Sequence, residues 1–158
     1  MRKNLLIGLA GLASAGLAVA VGVLMSKERQ LKLAVGWPYL WAAGRPSTPW
    51  TDGPDGVDCS GFAQMALVLL GIMKASASDK SAQGLAEVAA WQDDDKSPQL
   101  GDLAFYGTST SNITHVAVLL SDGRVIEAGS NGVVIMAGPD YRADYLYLTA
   151  RWPKELRP

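Results

Sequence analysis

The sequence predicts an α+β fold in which N-terminal helices pack on an antiparallel sheet of about five strands. Apolar runs in the first half of the domain follow capping residues or stop at glycine, as helices do. From Gly101 onward, short apolar runs alternate with turn residues, as strands do. Helices first and strands afterwards are typical of the α+β class.

Length and composition limit the class of protein. The chain has 158 residues, which suggests one folded domain at 26–158 behind a membrane-targeting segment at 1–25. A net charge of −1 without a basic cluster argues against a nucleic-acid partner. A single cysteine excludes an internal disulfide, and one cysteine with one histidine argues against a metal site. We therefore expect a monomer that needs neither a metal nor an organic cofactor.

The N-terminal segment predicts a transmembrane helix. Residues 4–25 carry no charge, and a helix of this length spans roughly 33 Å, about the hydrocarbon thickness of a bilayer. Ala18-Val19-Ala20 fits a cleaved signal peptide, whereas the length fits a permanent anchor. The many Gly, Ala and Ser residues either form a helix-packing face or resemble the signal-anchor-release segments of some phage lysozymes. We expect the domain in the periplasm, held at the inner membrane or released from it.

The helix that carries Cys59 is predicted to begin at Asp58 and to end at Gly71. An apolar run covers 62–70, and Asp58 stands where an N-cap carboxylate accepts a backbone N–H of the first turn. Cys59 then lies in that first turn, where unpaired N–H groups favour the thiolate, the reactive form of cysteine. The alternative is that Cys59 is a small buried apolar side chain.

The other predicted elements are two short helices and five strands. One short helix is expected at 26–35, directly after the membrane-targeting segment. Residues 80–91 have helical apolar spacing, although Gly84 weakens it. The strands are predicted at 103–106, 113–120, 124–128, 133–136 and 145–151. A hairpin is expected to join the second strand to the third, because Ser121-Asp122-Gly123 lies between them.

His115, the only histidine, lies inside the second of these strands. Such a residue is more often part of the core than a base, and a catalytic histidine needs a polar group to orient it. A three-residue hairpin loop would pair Leu120 with Arg124. Glu127 would then share the sheet face of His115, whereas a two-residue loop would turn it away. Glu127 is either this orienting group or an exposed edge residue.

Five segments follow one another along the chain in a distinctive order. They are Pro38-Tyr39-Leu40-Trp41, Asp58-Cys59-Ser60-Gly61-Phe62, Ser81-Ala82-Gln83, Gly101-Asp102-Leu103-Ala104-Phe105 and His115-Val116-Ala117-Val118. In this order and spacing they resemble the NlpC-type cell-wall peptidases, which are papain-like cysteine peptidases of bacteria and phages. The resemblance covers about 36–134, most of the predicted domain.

The resemblance implies a set of catalytic roles. Cys59 corresponds to the nucleophile and His115 to the base. Glu127 falls at the third polar position, where the family usually has His, Asn or Gln, so this residue is a departure. Tyr39 corresponds to a tyrosine near the cysteine and is assigned, with Ser60, to oxyanion or substrate contacts.

Two other positions, in or next to the matching segments, are expected to affect structure. Ala42-Ala43 stands where the family usually has two glycines, which either narrows the substrate groove or only alters a turn. Asp102 opens a predicted strand after a glycine, and we expect it to have a structural role.

The resemblance implies a peptidoglycan endopeptidase that cleaves an amide bond of the stem peptide, by analogy the bond between γ-D-glutamate and a diamino acid. A phage endolysin for host lysis is the expected role. The alternatives are a host peptidase that remodels the wall, an amidase or acyltransferase on the same fold, and a non-enzymatic binding module in which Cys59 is only packed.

Overall fold

A computed structural model of the chain describes residues 27–46, 54–91, 97, 99–142 and 146–158. The predicted transmembrane segment at 4–25 lies outside these residues. Within the described ranges, no helix has both the length and the apolar character needed to cross a bilayer. The first described residues, 27–32, are helical and lead into the domain.

The described part of the domain combines helices with a sheet, so the predicted α+β class is confirmed. Helix α1 spans Cys59–Leu70 and helix α2 spans Ala82–Val88. The strands are β1 Ala90–Trp91, β2 Leu103–Ser109, β3 Asn112–Leu119, β4 Val125–Gly129, β5 Gly132–Met136 and β6 Leu146–Arg151. Short 3₁₀ helices occupy Pro139–Tyr141 and Lys154–Leu156.

The described strands form one sheet in the order β1-β6-β2-β3-β4-β5, and all neighbours are antiparallel. The five predicted strands are present, but the predicted helix over 80–91 is too long. It ends at Val88 because Ala89 turns to extended backbone, with φ −66° and ψ 142°. The next two residues then pair with the chain's last strand and form β1.

Helix α1 begins and ends where the sequence predicts. The Asp58 carboxylate accepts the Gly61 N–H at 2.7 Å, which satisfies one of the free donors of the first turn. Gly71 follows the last helical residue in the left-handed region, with φ +76°, and its N–H bonds to carbonyls of the last turn. The cap and the glycine stop therefore fix both ends of the helix.

Two apolar layers cover the two faces of the sheet. Helices α1 and α2 contact β3, and α1 also contacts β4. Phe62, Leu67 and Phe105 lie fully buried in this layer. Burial of each such side chain contributes about 1.5–3 kcal/mol. The opposite face carries a smaller cluster made of Ala104, Tyr106, Ala117, Leu119 and Val125.

The hairpin between β3 and β4 has the predicted three-residue loop. The Leu120 N–H donates to the Arg124 carbonyl at 2.8 Å, and Gly123 has the left-handed φ of +82°. The register pairs Val118 with Ile126. This register places Glu127 on the sheet face of His115, as the loop length requires.

Candidate active site

The start of α1 is fastened to the loop that precedes it. Asp58 accepts the Ser60 hydroxyl and the Gly61 N–H through Oδ1, at 3.0 and 2.7 Å, and the Gly44 N–H through Oδ2, at 2.8 Å. A Cβ on Gly61 would lie 1.7 Å from the Gly44 carbonyl oxygen, so only glycine permits this approach. The first turn of the helix and the loop therefore form one rigid corner around Cys59.

Cys59 lies in the first turn of α1 as predicted, and only 7% of it is exposed. The expected preference for a thiolate is wrong, because burial raises the pKa of the Cys59 thiol and the Asp58 charge adds to the rise. The backbone N–H groups of Val116, Ser60 and Cys59 itself oppose the shift without outweighing burial. The resting form of this cysteine is therefore the thiol.

His115 and Glu127 are in contact. His115 Nε2 lies 2.7 Å from Glu127 Oε2, and both side chains are buried. An ionised carboxylate can only accept a hydrogen bond, so Nε2 carries the hydrogen. Nδ1 is then the basic nitrogen whenever the imidazole is neutral.

The carboxyl of Glu127 is held in its ionised form. Burial alone would raise the pKa of Glu127, but the hydrogen bond and charge of His115 oppose this effect. The Tyr141 hydroxyl and the Arg142 charge act in the same direction, and the net pKa lies below the ordinary value. Glu127 is thus a buried carboxylate, and the alternative of an exposed edge residue is wrong.

The Cys59 thiol lies near the backbone of β3, the strand that carries His115. The Val116 N–H, next to His115, lowers the pKa of the Cys59 thiol and so lies near the sulfur. Among the residues described here, no hydrogen bond joins this sulfur directly to the His115 ring. The structure therefore brings His115 to Glu127, and Cys59 to the strand that carries His115.

Tyr39 lies beside the nucleophile candidate. Its backbone forms an isolated parallel bridge with Val57, two residues before Cys59. Burial raises the pKa of Tyr39, and the negative charges that Cys59 and Asp58 carry once ionised add to the rise. Its hydroxyl therefore keeps its proton and can donate a hydrogen bond. The Ser60 hydroxyl, in contrast, is used in the cap of α1.

A groove of about 500 Å³ opens over Cys59. Tyr39 and Trp41 line it on one side, and Gln83 and Thr114 line it on the other. Gln83 joins α2 to the sheet, since its Oε1 accepts the Ile113 N–H at 2.8 Å. The groove therefore runs between the loop before α1 and the start of β3.

Two further acidic or backbone features have structural roles. Asp102 accepts both Arg151 Nε and Arg151 Nη2, at 2.8 and 2.7 Å, and also the Gln99 N–H, so its expected structural role agrees with these contacts. Ala42 adopts the left-handed region, with φ +59°, at a position where glycine would be unstrained.

The described part of the chain holds no group of three or more His, Cys, Asp or Glu residues arranged for a metal ion.

Comparison with known proteins decides the family. The model of the NlpC/P60 family matches residues 36–148, more than half of the chain. The chain belongs to the NlpC/P60 family. The resemblance seen in the motifs is thereby confirmed, and the curated relatives of this NlpC/P60 domain are named as endopeptidases.

Two of these relatives are much longer proteins. The probable endopeptidase p60 of Listeria grayi is 34% identical over 106 residues, 67% of this chain and 18% of the relative. The probable peptidoglycan endopeptidase LytE of Bacillus subtilis is 30% identical over 107 residues, 66% of this chain and 27% of the relative. The chain thus spans less than a third of the length of either relative.

Solved structures share the fold of this NlpC/P60 domain. The peptidoglycan hydrolase RipB of Mycobacterium tuberculosis aligns with a TM-score of 0.60 and 25% identity, over 87% of this chain and 68% of RipB. The P60 domain of an antigen of Mycobacterium avium subspecies paratuberculosis gives a TM-score of 0.59 and 22% identity, over 84% and 96% of the two chains. The second likeness shows the fold alone.

Sequence reasoning missed two side chains of the site, Tyr141 and Arg142. They follow β5, outside the matching motifs, and both contact Glu127. Tyr141 donates its hydroxyl hydrogen to Glu127 Oε2, and Arg142 Nη2 lies 3.5 Å from Glu127 Oε1. A polar turn after a strand carries no pattern that would have indicated these contacts.

Proposed function

We propose that the protein is a peptidoglycan endopeptidase that uses Cys59 as nucleophile, His115 as base and Glu127 as the residue that orients the base. The contact between His115 and the buried Glu127 carries this proposal, since it fixes which ring nitrogen can take a proton. The position of Cys59 in the first turn of α1, beneath a groove, supports it. The names of the curated relatives support the class of substrate.

The reaction would start from the neutral thiol. Nδ1 of His115 accepts the thiol proton as the Cys59 sulfur bonds to the scissile carbonyl carbon. The imidazolium then protonates the departing amine, so that the C–N bond breaks and a thioester remains. Water, deprotonated by the same nitrogen, hydrolyses the thioester and regenerates the thiol. The Glu127 carboxylate stabilises the imidazolium in both steps.

Hydrogen-bond donors at the mouth of the groove would stabilise the oxyanion. We assign this role to the Cys59 backbone N–H and the Tyr39 hydroxyl. The raised pKa of Tyr39 supports the assignment, because a phenol that keeps its proton remains a donor. Ser60 contributes by holding the Asp58 cap, through which the first turn keeps its orientation.

The N-terminal sequence supports a proposal for the biological setting. We propose that residues 4–25 tether the enzyme to the inner membrane with the domain in the periplasm, where it reaches peptidoglycan. The many small residues of this segment make it weakly hydrophobic, which suits slow release and an endolysin that acts during host lysis. Mass analysis of the periplasmic form tests this: an intact N-terminus is expected, and a start at Val21 would mean signal cleavage instead.

The proposed activity is tested with the full chain in a mild non-ionic detergent. Wild-type protein should release soluble muropeptides from purified peptidoglycan, and Cys59→Ala should lower the rate by at least about 10³-fold. Ser76→Ala, a change at an exposed residue that does not line the groove, is the matched control and should leave the rate unchanged.

The reaction products identify the peptidoglycan bond that is cleaved. Mass spectrometry should find fragments cut between γ-D-glutamate and the diamino acid. A cut at the lactyl–alanine junction would show an amidase, and unchanged activity in Cys59→Ala would remove the thiol mechanism.

A further inference from the structure

We propose that Tyr141 and Arg142 are positioning residues of the reaction: together they neutralise and orient the Glu127 carboxylate, so that His115 works as a base beside it. The inference rests on the proposed function, because it concerns the same histidine and carboxylate. Neither residue belongs to the motifs that indicate the family.

Successive hydrogen bonds lead from Arg142 through Tyr141 to Glu127, the carboxylate that pairs with His115. Arg142 Nε donates to the Tyr141 hydroxyl oxygen at 2.5 Å, and that hydroxyl donates onward to Glu127 Oε2. Arg142 Nη2 also lies 3.5 Å from Glu127 Oε1. Both carboxylate oxygens therefore have a partner besides His115, and the plane of the carboxylate is fixed.

Burial makes a counter-charge necessary. Glu127 is only 3% exposed and His115 only 8%. A buried carboxylate beside a neutral imidazole is an uncompensated charge, which is expensive in a medium of low dielectric constant. A positive group beside the carboxylate offsets this cost without a proton on the imidazole, and only an unprotonated imidazole can accept the thiol proton. Arg142 supplies the missing positive charge.

The aromatic side chains hold the guanidinium in place. The Arg142 Cζ lies 5.6 Å from the centre of the Tyr106 ring and 5.3 Å from that of the Tyr141 ring. The Tyr106 ring in turn lies 5.7 Å from the His115 ring. Cation–π attraction therefore adds to the ion pair and limits the movement of Arg142.

The surroundings of the Glu127 side chain leave room for this arrangement. A Cβ on Gly129 would lie 3.3 Å from Glu127 Oε1, so the glycine keeps that oxygen accessible to Arg142. Burial raises the pKa of Tyr141, and the hydrogen bond to Glu127 adds to the rise, so the phenol stays a donor. Within the described residues, the titratable or charged groups that face the His115–Glu127 pair are Tyr106 of β2, Tyr141 and Arg142. Cys59 approaches β3 from α1.

The test measures kcat and KM between pH 5 and pH 9 for the full chain in detergent, with the soluble peptide L-Ala-γ-D-Glu-diaminopimelate-D-Ala as the probe. Arg142→Met keeps the length of the side chain and removes its charge. We expect kcat at pH 6 to fall about tenfold with little change in KM, and the acidic limb of the kcat/KM profile to move to higher pH.

Three further variants separate positioning from folding. Arg142→Lys restores the charge and should recover most of kcat, and Tyr141→Phe should lower kcat by about threefold to tenfold. In a Glu127→Gln background no buried charge remains to be neutralised, so adding Arg142→Met should lower kcat by less than about twofold. Arg124→Met, on the exposed hairpin, is the matched control and should behave as wild type.

The outcomes distinguish this inference from the proposed function. An unchanged pH profile in Arg142→Met would overturn the positioning role, as would equal losses with and without Glu127→Gln. If Cys59→Ala is inactive while the Arg142 and Tyr141 variants match wild type, the inference fails and the proposed function stands. If Cys59→Ala cleaves the peptide as fast as wild type, the proposed function itself fails.

Discussion

Asp58 and Cys59 have different roles at the start of α1. The Asp58 carboxylate binds the first turn and Gly44, while its charge helps keep the neighbouring thiol protonated. The helix start alone predicts the opposite charge state, because it supplies N–H groups and no desolvation. The proposed reaction therefore needs a base at the moment of attack, and we assign this role to His115 of β3.

At the scale of single residues, Ala42 gives a direct test of backbone strain. Its φ of +59° costs an alanine about 1–2 kcal/mol, whereas glycine adopts this region freely. Ala42→Gly should therefore raise the free energy of unfolding by up to about 1 kcal/mol, after the entropy of the new glycine in the unfolded chain is subtracted. Urea unfolding of the full chain in detergent measures the change.

Ala43→Gly is the matched control for that change. Ala43 has no positive φ, so the same substitution should lower stability by about 0.5–1 kcal/mol. If both variants lose stability to the same extent, Ala42 is not strained.

At the scale of elements, the corner between α1 and the preceding loop depends on Gly61. A methyl group there would meet the Gly44 carbonyl oxygen at 1.7 Å and force the loop away. Gly61→Ala should lower the free energy of unfolding by about 1–3 kcal/mol, because overpacking of this kind displaces backbone. It should also reduce peptidase activity, since the loop lines the groove. Thermal unfolding and muropeptide release measure the two effects.

Gly84 provides the same substitution in helix α2 with the opposite expectation. A Cβ at Gly84 has its nearest neighbours at 3.5 Å, an ordinary contact distance. Gly84→Ala should therefore raise stability by about 0.5–1 kcal/mol through helix propensity. Destabilisation by Gly84→Ala as well as by Gly61→Ala would contradict the open surroundings described for Gly84.

At the scale of the whole molecule, the buried pair links stability to pH. The pKa of Glu127 is lowered on folding, so its contribution is present above the ordinary value of 4.5 and is lost as pH falls through the folded value. At pH 7, Glu127→Gln should lower the free energy of unfolding by about 1–3 kcal/mol, the range for hydrogen bonds to a charged group.

The difference between wild type and Glu127→Gln should shrink as the pH falls below 4.5, because both then carry a neutral side chain at this position. Thermal unfolding of the two proteins between pH 3 and pH 7 measures it. A difference that stays constant over this range would show that folding does not lower the pKa of Glu127.

Much of this architecture follows from local pattern. The cap and the glycine stop of α1, the strand alternation and the hairpin loop act over a few residues, and each was predicted from the residues that form it. The end of α2 was not, because β1 exists only through pairing with β6, some 60 positions later. The contacts of Tyr141 and Arg142 with Glu127 were missed for the same reason. They arise from the tertiary fold, and no periodic pattern in the sequence indicates them.

The position of β6 in the sheet has a consequence for how the protein is made. Residues 146–151 come late in the chain, yet they form an inner strand between β1 and β2. The ribosome synthesises the segments that carry Cys59 and His115 well before this strand. Until β6 emerges, the nascent chain lacks one partner of β2, so the sheet that carries His115 is completed only after translation has passed this point.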